Sequence, residues 1–424
     1  MKSLRCILAY PKILPSRLFH GFYKNNHVRC FATSSSVQFP IQRVGIDANE
    51  EFIQVKYQNG ETESFPWHFL QDNCTCPECF HTASQSRTKR MTTLDLSKSV
   101  KSASVTDNET AVKLTWSDGH EGTFSEEWLK ARSFSKANQN FRRTGFRDEP
   151  ELVRSNYPIR RLDFQEVLQD DAKLLCCLKD LCKIGVVILE NARKEVGQLK
   201  ELANKIGFIR TTHYGNEFTV QSIPDAVNLA YTSTALTVHT DLPYYVSPPG
   251  VQALHCIKQF YGEADKNLGG ESHLVDGFIV AHHMKENYPE LYETLCNTPV
   301  EFYDIGEDYT KFYKIHHSPT FVTSPSTGNL TRIVYSNQQL SSYLPIDLHK
   351  AKLLYRAMKC FTDLCYHENY LMRFKLCEGE VLIFDNWRFL HGRSEFDPSK
   401  GERHLEGCYF DWDEVISRVR VLEN

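Results

Sequence analysis

The chain has 424 residues, enough for two or three domains, and its 41% apolar and 24% charged residues are ordinary globular values. No stretch approaches the roughly 18 uncharged apolar residues of a membrane span, and 14 scattered cysteines do not make the dense disulfide framework of a small secreted domain. The formal net charge of −4 offers no basic excess for nucleic acid or an anionic membrane surface.

The N-terminal segment "MKSLRCILAYPKILPSRLFHGFYKNNHVRCFATSSS" carries six basic residues up to Arg29, and the first acid of the chain is Asp47. Basic, acid-free and apolar-interleaved sequence of this kind predicts a mitochondrial transit peptide over residues 1–31. Its removal takes six positive charges and no negative one, moving the net charge from −4 to −10. The expected location is then the mitochondrial matrix; without a working presequence it is the cytoplasm.

Residues 40–135 predict a small β-rich domain. "FIQVKY", "TESFPWHFL", "AVKLTW" and "EGTFSEEWL" alternate apolar and polar residues between turn signals. No internal repeat is read from them. "DNCTCPECFH" sits in their midst and brings Cys74, Cys76 and Cys79 together. Structural zinc takes four S/N ligands, so this trio predicts a zinc site with His81, next to the cluster, as the local fourth donor. A zinc hydrolase built on the cysteines would need an open coordination position. Residues 136–159 are polar, basic and interrupted by proline, and predict a linker.

Residues 160–424 predict an α+β catalytic domain. "FQEVLQDDAKLLCCLKDLCKIG" has helical periodicity and stops at Gly185; "VVILEN" is a buried strand; "GQLKELANKIG" is a second helix. Short strands follow, among them "TVHTDLPYY", "VQALHCIKQ", "SHLVDGF", "RFKLCEGEVLIFDN", "RFLHGR" and "RHLEGCYFDW", at the spacing of a sandwich or jelly roll. One long helix interrupts them, with Leu354, Met358, Phe361 and Cys365 on one stripe.

Within this array, "LTVHTDLPYY" places His239 and Asp241 two apart, which on a strand is one face. A carboxylate beside an imidazole in apolar surroundings is costly unless paired or bound to a metal. His391, in "DNWRFLHGR", is the best-placed third donor. Two histidines and a carboxylate form the facial triad of non-haem Fe(II) oxygenases, which leaves positions open for a co-substrate and O2. Arg403 follows and shares strand parity with Tyr409; an inward arginine suits the far carboxylate of 2-oxoglutarate. Ser272, in "GGES", is a further hydroxyl for that carboxylate. A β-sandwich that only binds would take up no metal and release no succinate.

The segments "DNCTCPECF", "HTDLPYYVSPPGVQALHCIKQ", "GGESHLVDGF", "FDNWRFLHGR" and "RHLEGCYFDWDEVISRVR" resemble the γ-butyrobetaine dioxygenase family, whose sister group is the trimethyllysine dioxygenases. The resemblance implies a double-stranded β-helix catalytic domain behind a small β-rich zinc-binding domain, and a homodimer. It implies Fe(II) on His239, Asp241 and His391, 2-oxoglutarate on Arg403, and ascorbate as reductant. For zinc it favours His120 over His81 beside the three cysteines. The implied reaction is hydroxylation of γ-butyrobetaine at C3 to L-carnitine, with 2-oxoglutarate converted to succinate and CO2. The implied substrate pocket holds a trimethylammonium group in an aromatic cage of Tyr214, Phe218, Tyr231 and Tyr409, with Asn228 and Ser336 or Asn337 at the carboxylate end. Phe218 stands where the family has Trp, and Ser336 where it has Asn. Trimethyllysine, or another trimethylammonium compound, is therefore the alternative substrate.

Overall fold

The computed structural model describes residues 40–139, 150–221, 233–259, 269–397, 399 and 402–423. The predicted transit peptide, most of the basic part of the predicted linker, and Asn228 and Tyr231 lie outside the described residues. The chain divides into two compact units, Met1–Phe141 and Arg142–Asn424.

The first unit contains two three-stranded antiparallel meanders, each followed by a short helix. One runs Ile41–Asp47, Phe52–Tyr57 and Thr62–Pro66 into the helix Trp67–Asp72; the other runs Val100–Val105, Ala111–Trp116 and Glu121–Ser125 into Glu126–Ala131. Their buried residues correspond one to one: Ile53 with Val112, Val55 with Leu114, Tyr57 with Trp116, Phe65 with Phe124 and Leu70 with Leu129. Gly60 and Gly119 occupy the same turn position with φ of 89° and 87°, a conformation side chains with a Cβ rarely adopt. The reading of no internal repeat is thus corrected. The repeat is written in burial pattern and turn geometry, and few residues are identical between the halves.

In the second unit, eight strands form the two facing sheets of a double-stranded β-helix. Glu217–Gln221, His404–Phe410, Val251–Lys258 and Val381–Asp385 lie side by side in a sheet extended by Val186–Glu190 and Arg161–Asp163; Leu236–His239, Phe389–Arg393, Ser272–Asp276 and Leu371–Phe374 form the second sheet. The chain crosses between sheets from strand to strand, except where Gly277–Tyr370 is inserted between two neighbours of the smaller sheet. Side-chain alternation divides the core. Ile188, Leu274, Leu382, Phe384 and Leu405 fill the space between the sheets. Val187, Leu189, Ala253, Ile383 and Cys408 point the other way, into the helices Asp171–Lys183, Gln198–Ile206 and Trp412–Glu423. This double coverage is why "VVIL" reads as an unbroken apolar run.

The predicted first helix is two, Phe164–Gln169 and Asp171–Lys183, because the Asp170 side chain caps the second by accepting from the Ala172 N–H. "RFKLCEGEVLIFDN" is likewise two strands, Leu371–Phe374 and Val381–Asp385. The helices Gly277–Asn287 and Pro289–Asn297 were not expected. The first of these runs from the apolar residues 277–281 into the mostly polar residues 282–287, without helical alternation. The long helix Leu348–Cys365 buries Leu354, Met358, Phe361 and Cys365 as its periodicity predicts, each worth about 1.5–3 kcal/mol of apolar burial. A fully buried pair ties the smaller sheet down: Arg388 donates from Nε and Nη2 to Asp276 at 3.0 and 2.6 Å, and Asp276 also accepts from the Val153 and Phe278 N–H groups.

Candidate iron and co-substrate site

His239 closes the strand Leu236–His239 and stands directly across from His391 in Phe389–Arg393. The two rings lie 4.4 Å apart between centroids. Asp241 falls beyond the strand, in a turn whose next residue, Leu242, has φ of 57°. Strand parity is therefore not what unites His239 and Asp241; a turn with a left-handed residue does it, the kind of strained backbone that gathers at functional sites. Asn386 clamps this turn by accepting from the Asp241 N–H at 2.8 Å and donating to the Asp241 and Pro249 carbonyls at 3.2 and 3.0 Å.

The Asp241 Oδ1 atom lies 3.2 Å from His239 Nε2 and 3.6 Å from His391 Nε2. The three donor atoms all fall within 4.8 Å of one another, close enough for one metal ion. His239 Nδ1 is 2.8 Å from the Thr237 carbonyl, which can only accept, so Nδ1 carries the proton and the Nε2 lone pair is left for a metal. The Tyr409 hydroxyl donates to Asp241 Oδ2 at 2.6 Å. Burial opposes the Asp241 charge, but His391, His239 and Tyr409 outweigh it and hold the carboxyl below the usual carboxylate range. Burial lowers His391 to about 4, so it stands neutral, as a ligand must.

These residues sit in a cavity of about 330 Å³. Two arginines enter it. Arg403 immediately precedes the strand His404–Phe410, and Arg393 ends the strand of His391. Burial lowers the guanidinium values to about 10 and 9, Arg393 being lowered further by the like charge of Arg403, yet both remain cationic at neutral pH. Arg403 Nε is buried with no hydrogen-bond partner among the described residues. A buried cation with an idle donor fits an anionic ligand, and the second guanidinium beside it adds the charge that suits a dianion such as 2-oxoglutarate. Ser272 is buried, lines the same cavity and pairs across the sheet with Arg393. Sequence reading missed Arg393; its distance of two from His391 is the signal that would have found it.

The aromatic wall is assembled from strand ends. Tyr214 and Phe218 have centroids 5.6 Å apart, and Phe218 stacks on Tyr409 at 5.1 Å with 29° between the planes. Phe218 lies across from Gly407, where a Cβ would come within 2.4 Å of the ring. Only glycine leaves that room. Tyr244 and Asp304, not singled out from sequence, also line the cavity. The structure does not bring Ser336 or Asn337 to it. Ser336 is buried and its hydroxyl donates to Gln338 Oε1 at 2.9 Å and to Gln339 Oε1, while Asn337 is exposed; Gln338 and Gln339 themselves line the cavity.

In the first unit, Cys74, Cys76, Cys79 and His120 likewise have donor atoms within 4.8 Å of one another. His120 Nε2 is 3.4 Å from the Cys74 and Cys79 sulfurs and 3.8 Å from that of Cys76. His81, the neighbour in sequence, is exposed and engages Ser84 instead, at 2.7 Å.

The family described as "Taurine catabolism dioxygenase TauD, TfdA family" matches residues 149–409, and "Gamma-butyrobetaine hydroxylase-like, N-terminal" matches residues 44–130. The chain belongs to the TauD/TfdA dioxygenase family. As a member it is an Fe(II)- and 2-oxoglutarate-dependent dioxygenase with the jelly-roll fold of that family. It is 35% identical to gamma-butyrobetaine dioxygenase of Homo sapiens over 384 residues, 90% of this chain and 97% of the relative. Trimethyllysine dioxygenase, mitochondrial, of Mus musculus is 29% identical over 410 residues, 95% of this chain and 92% of the relative. A solved taurine dioxygenase from Burkholderia xenovorans superposes with a TM-score of 0.41 at 16% identity, covering 62% of this chain and 91% of that one.

Proposed function

We propose that this dioxygenase hydroxylates γ-butyrobetaine at C3, giving L-carnitine, with one atom of O2 going to the product and one to succinate as 2-oxoglutarate loses CO2. One observation carries the reading: three clustered metal donors share a cavity with two buried arginines and a stacked aromatic wall. The 35% identity to a gamma-butyrobetaine dioxygenase supports the choice of substrate.

In this reading His239, Asp241 and His391 hold Fe(II), and Arg403, with Ser272 beside it, binds the far carboxylate of 2-oxoglutarate. The metal with its co-substrate supplies the oxidising power for C–H hydroxylation. The protein supplies position and dryness. Tyr409 does double duty. Its hydroxyl orients Asp241 through a charge-assisted hydrogen bond, and its ring, stacked with Phe218 and next to Tyr214, offers π-faces to a trimethylammonium group that has no N–H to donate. The wall thus couples substrate placement to the metal's carboxylate ligand. Gln338 and Gln339, in place of Ser336 and Asn337, are the amides available to the substrate carboxylate; Tyr231 and Asn228 keep the substrate-binding roles that the family resemblance implies.

We assign Cys74, Cys76, Cys79 and His120 to structural zinc, and residues 40–135 and 160–424 to the zinc-binding and catalytic domains. Ascorbate is the expected reductant. A homodimer is the expected assembly, supported by the exposed apolar face of Tyr303, Ile305, Tyr313 and Ile315. The basic leader and the relative whose printed name says mitochondrial support a matrix location.

The test is succinate release by the purified protein with Fe(II), 2-oxoglutarate and ascorbate, with γ-butyrobetaine or trimethyllysine added. Stimulation by γ-butyrobetaine with carnitine formed is expected. Stimulation by trimethyllysine alone would move the chain to the sister group.

A further inference from the structure

The hairpin formed by Val300–Glu307 and Lys311–Ser318 brings an acid into the cavity wall that the iron chemistry does not use. Along its first strand Phe302 and Asp304 share one face, and Tyr303 and Ile305 the exposed other. Asp304 is half-buried and borders the cavity. Its neighbour across the hairpin is Lys314, yet the Lys314 ammonium sits 4.5 Å over the Tyr245 ring. Among the described residues Asp304 makes no ion pair. Asp304 Oδ1 accepts from the Ile305 N–H at 2.9 Å, and the buried Tyr244 hydroxyl, 3.4 Å from His213 Nε2, interacts electrostatically with both Asp304 and Tyr214 of the aromatic wall. Tyr244 thus links Asp304 electrostatically to that wall.

A half-buried carboxylate without a cation carries a desolvation penalty, and burial does push its carboxyl above the usual range against the Tyr244 hydrogen bond. A ligand cation would relieve that penalty. The ligand must be one that aromatic faces also attract, which selects a quaternary ammonium over a hydrogen-bonding amine. The cavity's two arginines come from other parts of the chain than the Asp304 hairpin.

We propose that Asp304 is the anionic member of the ammonium-binding wall and sets the preference for a quaternary ammonium ligand over its neutral carbon isostere. This rests on the trimethylammonium substrate class proposed above. Tyr214 and Tyr409 supply shape and π-density; Asp304, at Coulomb range beyond hydrogen-bonding distance, supplies the net charge.

Binding to the protein loaded with Fe(II) and 2-oxoglutarate without O2 tests this. The ligands are γ-butyrobetaine, trimethyllysine and 5,5-dimethylhexanoate, in which carbon replaces the nitrogen of γ-butyrobetaine. Asp304→Asn keeps an acceptor for Tyr244 and removes only charge. Discrimination between γ-butyrobetaine and the isostere should fall about tenfold, a size typical of one desolvated charge at several ångströms. Asp304→Glu, which restores the charge, should recover part of it. Equal weakening of charged and neutral ligands, or no change, would overturn the proposal. If the wild type binds only trimethyllysine and the variant weakens that binding, Asp304 stands and the γ-butyrobetaine reading falls.

Discussion

Among the described residues two clusters of side chains could hold a metal ion, and they differ in the features that separate a structural from a catalytic metal. Cys74, Cys76, Cys79 and His120 provide four donors, enough to close a tetrahedron, with the His120 ring packed against Trp116. His239, Asp241 and His391 provide three donors and border an open cavity with two arginines. A closed set can give its binding energy only to folding. An open set can lend its vacant positions to co-substrate and O2. Donor count and access, rather than donor identity alone, tell the two apart.

The sharpest way to break this contrast is to remove one donor from each. His391→Ala should lower hydroxylation by at least about three orders of magnitude while the thermal unfolding of the catalytic unit changes little. Cys76→Ser should do the reverse at the other cluster: loss of one equivalent of zinc by metal analysis and melting of the first unit at a lower temperature, since zinc binding and folding are linked in such modules. A folded, zinc-free Cys76→Ser protein would mean that the cluster is not structural.

Within the open site, Arg403→Ala should raise the 2-oxoglutarate requirement about 30- to 5000-fold, the range for losing one partner of a buried charged hydrogen bond. An unchanged 2-oxoglutarate KM would transfer that role to Arg393. The smallest of these effects is expected at Asn386, which would act on the metal only by holding the Asp241 backbone. Asn386→Ala should weaken Fe(II) binding about 10- to 100-fold, measured by anaerobic titration, with the 2-oxoglutarate KM little moved. Equal effects on metal and co-substrate would point to general loosening of the turn.

Much of the site was legible before any coordinates. His239, Asp241, His391 and Arg403 were found as residue types at spacings suited to one chemistry, and the structure gathers all four around one cavity. The reason first given for His239 and Asp241 was strand parity, and that reason was wrong. The strand stops at His239, and the aspartate is aimed by the Leu242 turn and by Asn386, a residue distant in sequence. Ser336 and Asn337 failed differently. Their place in the resemblance was sound enough to reach the right loop, but backbone direction turns Ser336 inward and Asn337 to solvent, leaving Gln338 and Gln339 at the cavity.

By itself the sequence determined the chemistry and the local elements: short alternating strands, the long helix with its buried stripe, the cysteine trio and the His239, Asp241 and His391 set. These are local patterns, set by side-chain periodicity and by which atoms can bind a metal. Tertiary structure alone decided the rest. It chose His120 over the adjacent His81, because a hairpin turn in the second half of an unrecognised repeat delivers a ring to the cysteines while His81 faces water. It placed Arg393, Tyr244 and Asp304 in the cavity wall, residues whose types alone are commonplace. Their role comes from pairing between strands far apart in the chain, and no local pattern encodes which strands will meet.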